Sequence, residues 1–358
     1  MNGSSNARPS FRKPPASLTN LLDIERRWVE KQPFLESKGY MLRDRLRPGW
    51  KPSWETTGKS TLDSEDAIVL PARPHLVDAV RMSDKTLVYI KRVGTNDQES
   101  RIAMMLSAPK LRKDKRNHCV PIWDMFEDDV DSAISYIVMP FLKLMDEPPF
   151  YSVGEVIDFV DQILEGLRFL HEQGVAHRDC SRKNLMMDAS AMYPNGFHPV
   201  KQRFMPDAVT PVWPRSRSAA GVTYYYVDFG ISVYIPPDQQ SKLATGNLGR
   251  DRDPPELWTG EPYDPFKLDI FIIGNVFRKE FHEKFSNVDF LFPLIDQMTQ
   301  HRPQDRPDAA TAFRQWELIR GKMSSFGRSW RLQPRNEGIP DKVALDIVSF
   351  ARWIFWLN

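Results

Sequence analysis

The sequence is poor in the features that mark disulfide-rich, secreted or strongly charged proteins. It has 358 residues but only 2 cysteines, Cys119 and Cys180, so no disulfide framework is predicted. We expect an intracellular protein, cytoplasmic or nuclear, since no apolar signal region is present near the N-terminus. The formal charge of +2 gives no argument for nucleic acid as a partner.

Long apolar runs are also missing. The longest apolar stretch lies near the C-terminus, between Val343 and Leu357, and it contains Asp346 and Arg352. It is shorter than a membrane span, so no transmembrane segment is predicted. We expect a helix packed on the domain, with a surface membrane anchor as the alternative.

The most informative stretch is residues 177–184, His-Arg-Asp-Cys-Ser-Arg-Lys-Asn. It places Asp179 five residues before Asn184, directly after an apolar run. A carboxylate in a short loop can accept a hydroxyl proton, and an asparagine nearby can coordinate Mg²⁺. Further along the chain, Asp228-Phe229-Gly230 follows a strand-like run of tyrosines.

The pattern H-R-D-x-x-x-x-N followed by D-F-G is a protein-kinase signature. On these residues the chain resembles the eukaryotic protein kinase family, in a divergent fungal-type branch. Pro254-Pro255-Glu256 resembles the motif that ends an activation segment, with Arg306 as the partner of Glu256, and Asp269 resembles the acid that anchors the catalytic loop. The resemblance implies an α+β, bilobal protein-kinase-like fold, with a small β-rich N-lobe and a larger helical C-lobe.

The resemblance also implies ATP and Mg²⁺ as cofactors and a protein as the substrate. Asp179 would be the base that orients the acceptor hydroxyl, and Asn184 and Asp228 would bind Mg²⁺. Serine or threonine is favoured over tyrosine as the acceptor, although the loop alone leaves the acceptor class open.

Two apolar runs, at 76–82 and 86–93, are separated by a short polar turn, which is a hairpin signal. The second run contains Val88-Tyr89-Ile90-Lys91, similar to the V-A-I-K strand of kinases. Lys91 would hold the α- and β-phosphates, and Glu99, on a helical stretch that follows, would form an ion pair with it.

The run at 135–142 is predicted to be a buried strand that leads into a kinase-like hinge. By the same resemblance, Met139 would lie at the gate to the back of the adenine pocket. Backbone groups near Phe141 and Leu142 would bond to adenine.

The chain departs from the family pattern in its N-terminal half, where the connection from Lys91 to Glu99 is also short, and again in the loop at 177–184. Residues 69–76 contain no glycine, although the family places a glycine-rich loop here so that backbone N–H groups can approach the phosphates. Tyr89 replaces a small residue that abuts adenine. Ser181 replaces the lysine that serine/threonine kinases carry two residues after the base, and Lys183 is a candidate to supply that charge.

These observations predict a domain organisation and leave two alternative functions. The predicted kinase-like domain has an N-lobe at 65–142 and a C-lobe at 143–322, with a Pro-rich inserted surface loop at about 188–222. Before it lie a disordered N-terminus at 1–17 and an N-terminal extension at 18–64. After it lies a C-terminal extension with an apolar helix at 323–358. The main prediction is a protein kinase acting on a protein hydroxyl. The alternatives are a pseudokinase that acts as a binding or scaffold module, favoured by the missing glycines, and a small-molecule kinase.

Overall fold

The structure, a computed structural model, describes residues 15–236 and 238–356, without the side chains of residues 16 and 352–356. Contacts divide the chain into two units. The first unit takes in Met1–Lys91 and Asn195–Trp213, and the second takes in the two segments Arg92–Pro194 and Pro214–Asn358. The predicted disorder of residues 1–17 lies mostly outside the described residues.

The first unit combines short helices with antiparallel strands. Its elements are α1 (Ala16–Thr19), α2 (Asp23–Ser37), β1 (Tyr40–Met41), α3 (Ser53–Thr57), β2 (Leu76–Arg81) and β3 (Leu87–Gly94), the last of which runs on into the second unit. Three short 3-10 helices, Asp44–Leu46, Thr61–Asp63 and Glu65–Ala67, lie between them. β2 and β3 pair antiparallel as the hairpin signal predicts, and β1 pairs antiparallel with the other side of β2.

A fully buried ion pair organises the N-terminal extension. Arg45 donates to both carboxylate oxygens of Glu25, at 2.9 and 3.0 Å, and both side chains are 0% exposed. The same guanidinium donates to carbonyl groups between Ser17 and Asn20 and lies 4.5 Å from the ring of Trp50. Removing one member of such a pair costs about 3–5 kcal/mol, because a buried charge is left alone. The extension is therefore an integral part of the first unit.

Part of the insertion predicted at about 188–222 is anchored by a buried histidine. Its segment Asn195–Trp213 belongs to the first unit, and His198 in it is 1% exposed. The Nε2 atom of His198 lies 3.0 Å from the carboxylate of Glu65, which Arg43 also contacts. Burial alone would raise the pKa of Glu65, but the bonds from His198 and Arg43 hold it below its usual value. His198 anchors this segment to Glu65, while other residues of the segment, such as Trp213, are exposed. The surface-loop description of the insertion stays a prediction.

The second unit contains most of the helices and the remaining strands. Its helices are α4 (Gln98–Leu106), α5 (Pro109–Arg112), α6 (Val153–Glu172), α7 (Arg217–Ala220), α8 (Pro265–Phe277), α9 (Phe292–Met298), α10 (Ala309–Gly321), α11 (Ser325–Ser329) and α12 (Ile339–Trp356). Its strands are β4 (Asp124–Glu127), β5 (Ile134–Pro140), β6 (Lys143–Leu144), β7 (Val175–Ala176), β8 (Leu185–Asp188), β9 (Thr223–Tyr226) and β10 (Val233–Tyr234). The pairs β4–β5, β6–β8, β8–β9 and β7–β10 are all antiparallel.

Two long helices form the core that supports the loop at 177–184. α6 is capped by Ser152, whose hydroxyl accepts the N–H of Glu155, and it ends just before Gly174 as its apolar period predicts. Apolar side chains spaced three and four residues apart along α6 are fully buried: Val156, Phe159, Val160, Ile163 and Leu167. α8 is buried along most of its length and carries Asp269 into the interior.

The C-terminal helix α12 packs on the second unit, as the sequence predicts. Asp346 accepts a bond of 2.7 Å from Arg331, and Ser349 lies 3.3 Å from the hydroxyl of Tyr151. Apolar side chains on its other face, such as Ile347, are exposed. Among residues 15–236 and 238–356, no helix is both long and apolar enough to cross a bilayer.

Candidate active site

The loop at 177–184 is bonded through its backbone to Asp269 of α8. Its carboxylate is 0% exposed and accepts the backbone N–H groups of His177 and Arg178, at 2.7 and 2.6 Å. The predicted role of Asp269 as a structural acid is confirmed. Arg178 has φ +66°, a left-handed conformation that is costly for a residue with a Cβ and is characteristic of functional sites.

Asp179 lies at the tip of this loop, and its carboxylate is oriented from two sides. The amide of Asn184 donates to the Oδ2 atom of Asp179 at 2.8 Å, and the backbone N–H of Arg250 donates to its Oδ1 atom at 2.7 Å. Only 8% of Asp179 is exposed. Burial raises the pKa of Asp179 above its usual value, and the bonds from Arg250 and Asn184 oppose this rise. The result is an oriented carboxylate that can accept a proton.

Asp228 is brought beside Asn184 by the end of β9. The N–H of Val227 donates to the carbonyl of Asn184 at 3.0 Å, so Asp228 follows directly on a residue bonded to Asn184. Asp228 also has a left-handed backbone, with φ +67°. The next residue, Phe229, is buried against the ring of His177 at 5.2 Å.

The amide oxygen of Asn184 and the carboxylate of Asp228 fit a magnesium ion. An amide oxygen and a carboxylate are hard donors, and Mg²⁺ is usually held by one or two protein ligands together with substrate phosphates. The amide nitrogen of Asn184 is bonded to Asp179, which leaves the amide oxygen as the donor for a metal. In the part of the chain that the structure describes, no group of three or more His, Cys, Asp or Glu side chains could hold a metal without such a substrate.

Glu99, also in the second unit, lies near Asp228. It sits in the first turn of α4, which Asp97 caps through the N–H of Ser100. A Cβ atom added to Gly230 would lie 3.3 Å from Oδ1 of Asp228 and 3.5 Å from Oε2 of Glu99. The two carboxylates therefore lie near one another, next to a position occupied by glycine.

Lys91 lies on β3, in the first unit, and shares one face of the β2–β3 hairpin with an acidic residue and a tyrosine. In the β2–β3 register Lys91 is opposite Leu76 and Tyr89 is opposite Asp78, so all four side chains share one face. Asp78 accepts a bond of 2.8 Å from Arg43 of the N-terminal extension. Burial raises the pKa of the Tyr89 hydroxyl to about 12. Polar and bulky groups therefore surround the position where the sequence predicts phosphate binding.

The ion pair between Lys91 and Glu99 stays a prediction, because the two residues belong to different units. The adenine-binding role of the hinge also stays a prediction. Met139 is half-buried near the end of β5, and Phe141 and Leu142 are 7% and 2% exposed.

The charge expected near Asp179 comes from a residue that the sequence motifs do not mark. Lys183 is exposed, and the hydroxyl of Ser181 is buried without a hydrogen-bond partner. The Nε atom of Arg250 lies 3.4 Å from Oδ2 of Asp179. In the sequence, only the position of Arg250 between the Asp-Phe-Gly and Pro-Pro-Glu motifs points to a role near Asp179.

The segment between those motifs is fixed against the loop. The guanidinium of Arg178 donates to the carbonyl groups of Thr245 and Gly246. At the end of the segment, Glu256 accepts two bonds from Arg306, at 2.6 and 2.8 Å, and both residues are buried. The predicted pair between Glu256 and Arg306 is confirmed.

Comparison with known proteins agrees with the kinase-like motifs at 177–184 and 228–230. The family model described as protein kinase domain matches residues 75–287. The chain is 26% identical over 176 residues to human calcium/calmodulin-dependent protein kinase type IV, across 48% of this chain and 29% of that protein. It is 23% identical over 221 residues to a putative cyclin-dependent serine/threonine-protein kinase of Dictyostelium discoideum, across 60% of this chain and 27% of that protein. The chain thus spans less than a third of the length of these curated relatives.

Proposed function

We propose that this chain, which belongs to the protein kinase family, transfers the γ-phosphoryl group of ATP to a hydroxyl group of a protein. Its α+β fold is that of the family. The observation that carries the proposal is the bond from the Asn184 amide to the carboxylate of Asp179, together with the position of Asp228 directly after Val227, whose N–H bonds to the carbonyl of Asn184. Catalysis of this transfer depends mainly on positioning and on charge stabilisation, so this arrangement is what the reaction requires.

In the proposed reaction the acceptor oxygen forms a bond to the γ-phosphorus of ATP. The bond between that phosphorus and the β,γ-bridging oxygen breaks, and its electron pair leaves with ADP. The hydroxyl proton passes to the carboxylate of Asp179, which the bonds from Asn184 and Arg250 hold in one orientation. Lys91 is proposed to hold the α- and β-phosphates, and Glu99 to position Lys91.

Asn184 and Asp228 are the residues proposed to hold Mg²⁺. When bound there, the ion supplies charge neutralisation to the phosphates. Met139, Phe141 and Leu142 are proposed to line the adenine pocket.

Finer features of the function are also proposals. Serine or threonine as the acceptor is supported by relatives named as serine/threonine kinases, including a probable one from Clostridium acetobutylicum that is 28% identical over 104 residues, 27% of this chain and 15% of that protein. A divergent branch of the family is supported by the missing glycines and the insertion, and its fungal-type character stays a prediction. An intracellular location and the predicted domain boundaries also stay predictions.

A scaffold without turnover is the second candidate function. The observation that favours it is the face of β2 and β3 that carries Lys91. Tyr89 and Asp78 stand opposite one another there, and Arg43 already binds Asp78. A nucleotide would meet a ring and an ion pair where the family has a small residue and glycines.

A phosphotransfer assay with a general protein substrate and labelled ATP tests the proposal. Asp179→Asn keeps the shape of the side chain but removes the base, so we expect a loss of about 10²–10⁴-fold in kcat. Asp228→Asn should abolish transfer while the protein still folds. Asp296→Asn, on the exposed side of α9, is the control and should keep full activity.

Two outcomes would speak against the enzyme. If Asp179→Asn and Asp228→Asn were as active as the unmodified protein, the assigned site would be wrong. If the folded protein bound ATP in calorimetry but never transferred phosphate, the scaffold function would be preferred.

A further inference from the structure

Phosphoryl transfer needs a cation near the transferring group, but no arginine or lysine side chain of the loop at 177–184 is paired with Asp179 among the described contacts. Negative charge has to be stabilised on the transferring group, and the residue two positions after Asp179 is the uncharged Ser181. The guanidinium of Arg182 is engaged with Asp146, at 2.5 and 2.9 Å. The guanidinium of Arg178 donates to the carbonyl groups of Ile231, Thr245 and Gly246. Lys183, the last cation of the loop, is exposed and has no contact with Asp179 among the bonds and ion pairs of the described residues.

Arg250 approaches the same carboxylate from the segment before Pro254. Its backbone N–H bonds to Oδ1 of Asp179 at 2.7 Å, and its side-chain Nε lies 3.4 Å from Oδ2. The side chain is nevertheless 56% exposed, so the guanidinium remains accessible to a ligand. A group with this geometry can touch both the base and a phosphate next to it.

The two acidic residues that closely follow Arg250 in sequence, Asp251 and Asp253, have other partners. Asp251 is bonded to the amide of Asn275 at 2.7 Å, and Asp253 pairs with Lys279 at 2.7 Å. Lys279 also lies 3.6 Å from Asp251, so both carboxylates are paired with the same cation. Asp179 is left as the acid against which Arg250 lies.

Gly249 allows the segment to come this close. A Cβ atom at this position would lie 2.8 Å from the carbonyl oxygen of Arg178 and 3.8 Å from Oδ1 of Asp179. A side chain on residue 249 would push the segment away from the loop. The pair Gly249-Arg250 therefore brings backbone and guanidinium to the base together.

We propose that Arg250 is a catalytic residue that supplies, from the segment between the two motifs, the cation missing at Ser181. This inference rests on the proposed function and assigns one more residue to it. Arg250 contacts the γ-phosphate during transfer, while the acceptor oxygen bonds to phosphorus, the proton moves to Asp179 and ADP leaves with the bridging oxygen. An arginine suits this role because it stays charged and its donors match phosphate oxygens.

The test compares Arg250→Gln and Arg250→Lys with two control variants in the phosphotransfer assay. We expect Arg250→Gln to lower kcat by about 10²-fold with little change in KM for ATP, because the contact forms in the transition state. Arg250→Lys should keep most of the activity. The controls Arg252→Gln and Lys242→Gln each remove an exposed cation from the same segment and should leave kcat unchanged. Melting temperatures should stay the same throughout, since the Arg250 side chain is mostly exposed.

A rescue variant separates this role from a structural one. Ser181→Lys combined with Arg250→Gln returns a cation to the loop, and we expect it to restore much of the lost kcat. Calorimetry with ADP, Mg²⁺ and aluminium fluoride, a mimic of the transferring phosphoryl group, should show weaker binding to Arg250→Gln. Binding of ADP with Mg²⁺ alone should be unchanged.

The outcomes distinguish this inference from the proposed function. If the unmodified protein transferred no phosphate, the proposed function and this inference would both be rejected. If it were active and Arg250→Gln were equally active or faster, only the role of Arg250 would be rejected. A loss carried wholly by KM, or no rescue by Ser181→Lys, would equally overturn that role.

Discussion

At the scale of single residues, the site depends on a carboxylate that is buried and yet has to be ionised. Asp179 is 8% exposed, and burial raises its pKa. The bonds from Arg250 and Asn184 offset part of this cost by stabilising the ionised form. The same contacts that orient this proposed base therefore also lower the pH at which it becomes ionised.

The raised pKa predicts a pH dependence. A base accepts a proton only in its ionised form, so the rate should fall as the pH drops through the pKa of Asp179. We expect the acid limb of the kcat profile above the value of about 3.9 for an ordinary aspartate. Because Arg250 lowers the pKa, Arg250→Gln should move this limb to higher pH. A limb at or below the ordinary aspartate value in both proteins would contradict this prediction.

At the scale of elements, the β2–β3 hairpin carries Lys91, the residue proposed to hold the phosphates of ATP. The hairpin forms as predicted, and its register places Asp78 opposite Tyr89. The strand before β2 is β1, which comes from the N-terminal extension and pairs with β2. Residues 69–76, which lead into β2 where the family has a glycine-rich loop, contain no glycine.

We predict that the unmodified protein binds ATP weakly and that this binding depends on Mg²⁺. Tyr89→Ala should tighten ATP binding by about 1–3 kcal/mol, the usual size of a steric clash that is removed. Calorimetric titration of both proteins measures the difference. Tyr234→Ala, at an exposed tyrosine of β10, is the control and should leave binding unchanged.

Weaker binding by Tyr89→Ala would instead mean that the ring stacks on the base. No binding by either protein with Mg²⁺ present and the fold intact would reject ATP as the substrate.

At the scale of the whole molecule, buried ion pairs join segments that are far apart in sequence. Glu256 and Arg306 are 50 residues apart and form two short bonds, with 6% and 0% of their side chains exposed. The guanidinium also lies 4.5 Å from the ring of Phe271 in α8. This pair anchors the end of the segment that carries Arg250.

A double-mutant cycle tests this anchor. Glu256→Gln or Arg306→Met alone should lower the free energy of unfolding by about 3–5 kcal/mol, because each leaves a buried charge without its partner. The double variant should be less destabilised than the sum of the two. The exposed pair Arg302–Asp305 is the control, for which we expect about 0–1 kcal/mol. Additive effects at Glu256 and Arg306 would show that the pair is not coupled.

The sequence by itself determined the motifs of the site and the elements that carry them. Helix α6 and the β2–β3 hairpin follow from the apolar period. The loop at 177–184, the role of Lys91 and the partners of Asp269 and Glu256 are what the resemblance to the kinase family implies. These features are readable because each depends on residues in a fixed order with a known chemical role.

Only the tertiary structure decided which distant residues complete the site and its support. Arg250 reaches Asp179 across 71 residues, and His198 reaches Glu65 across 133 residues. Neither contact has a local pattern, because a charged or polar side chain looks the same in sequence whether it is solvated or paired. The partner of such a side chain is set by how the chain folds back, and burial then makes that partner necessary, because an unpaired buried charge is costly.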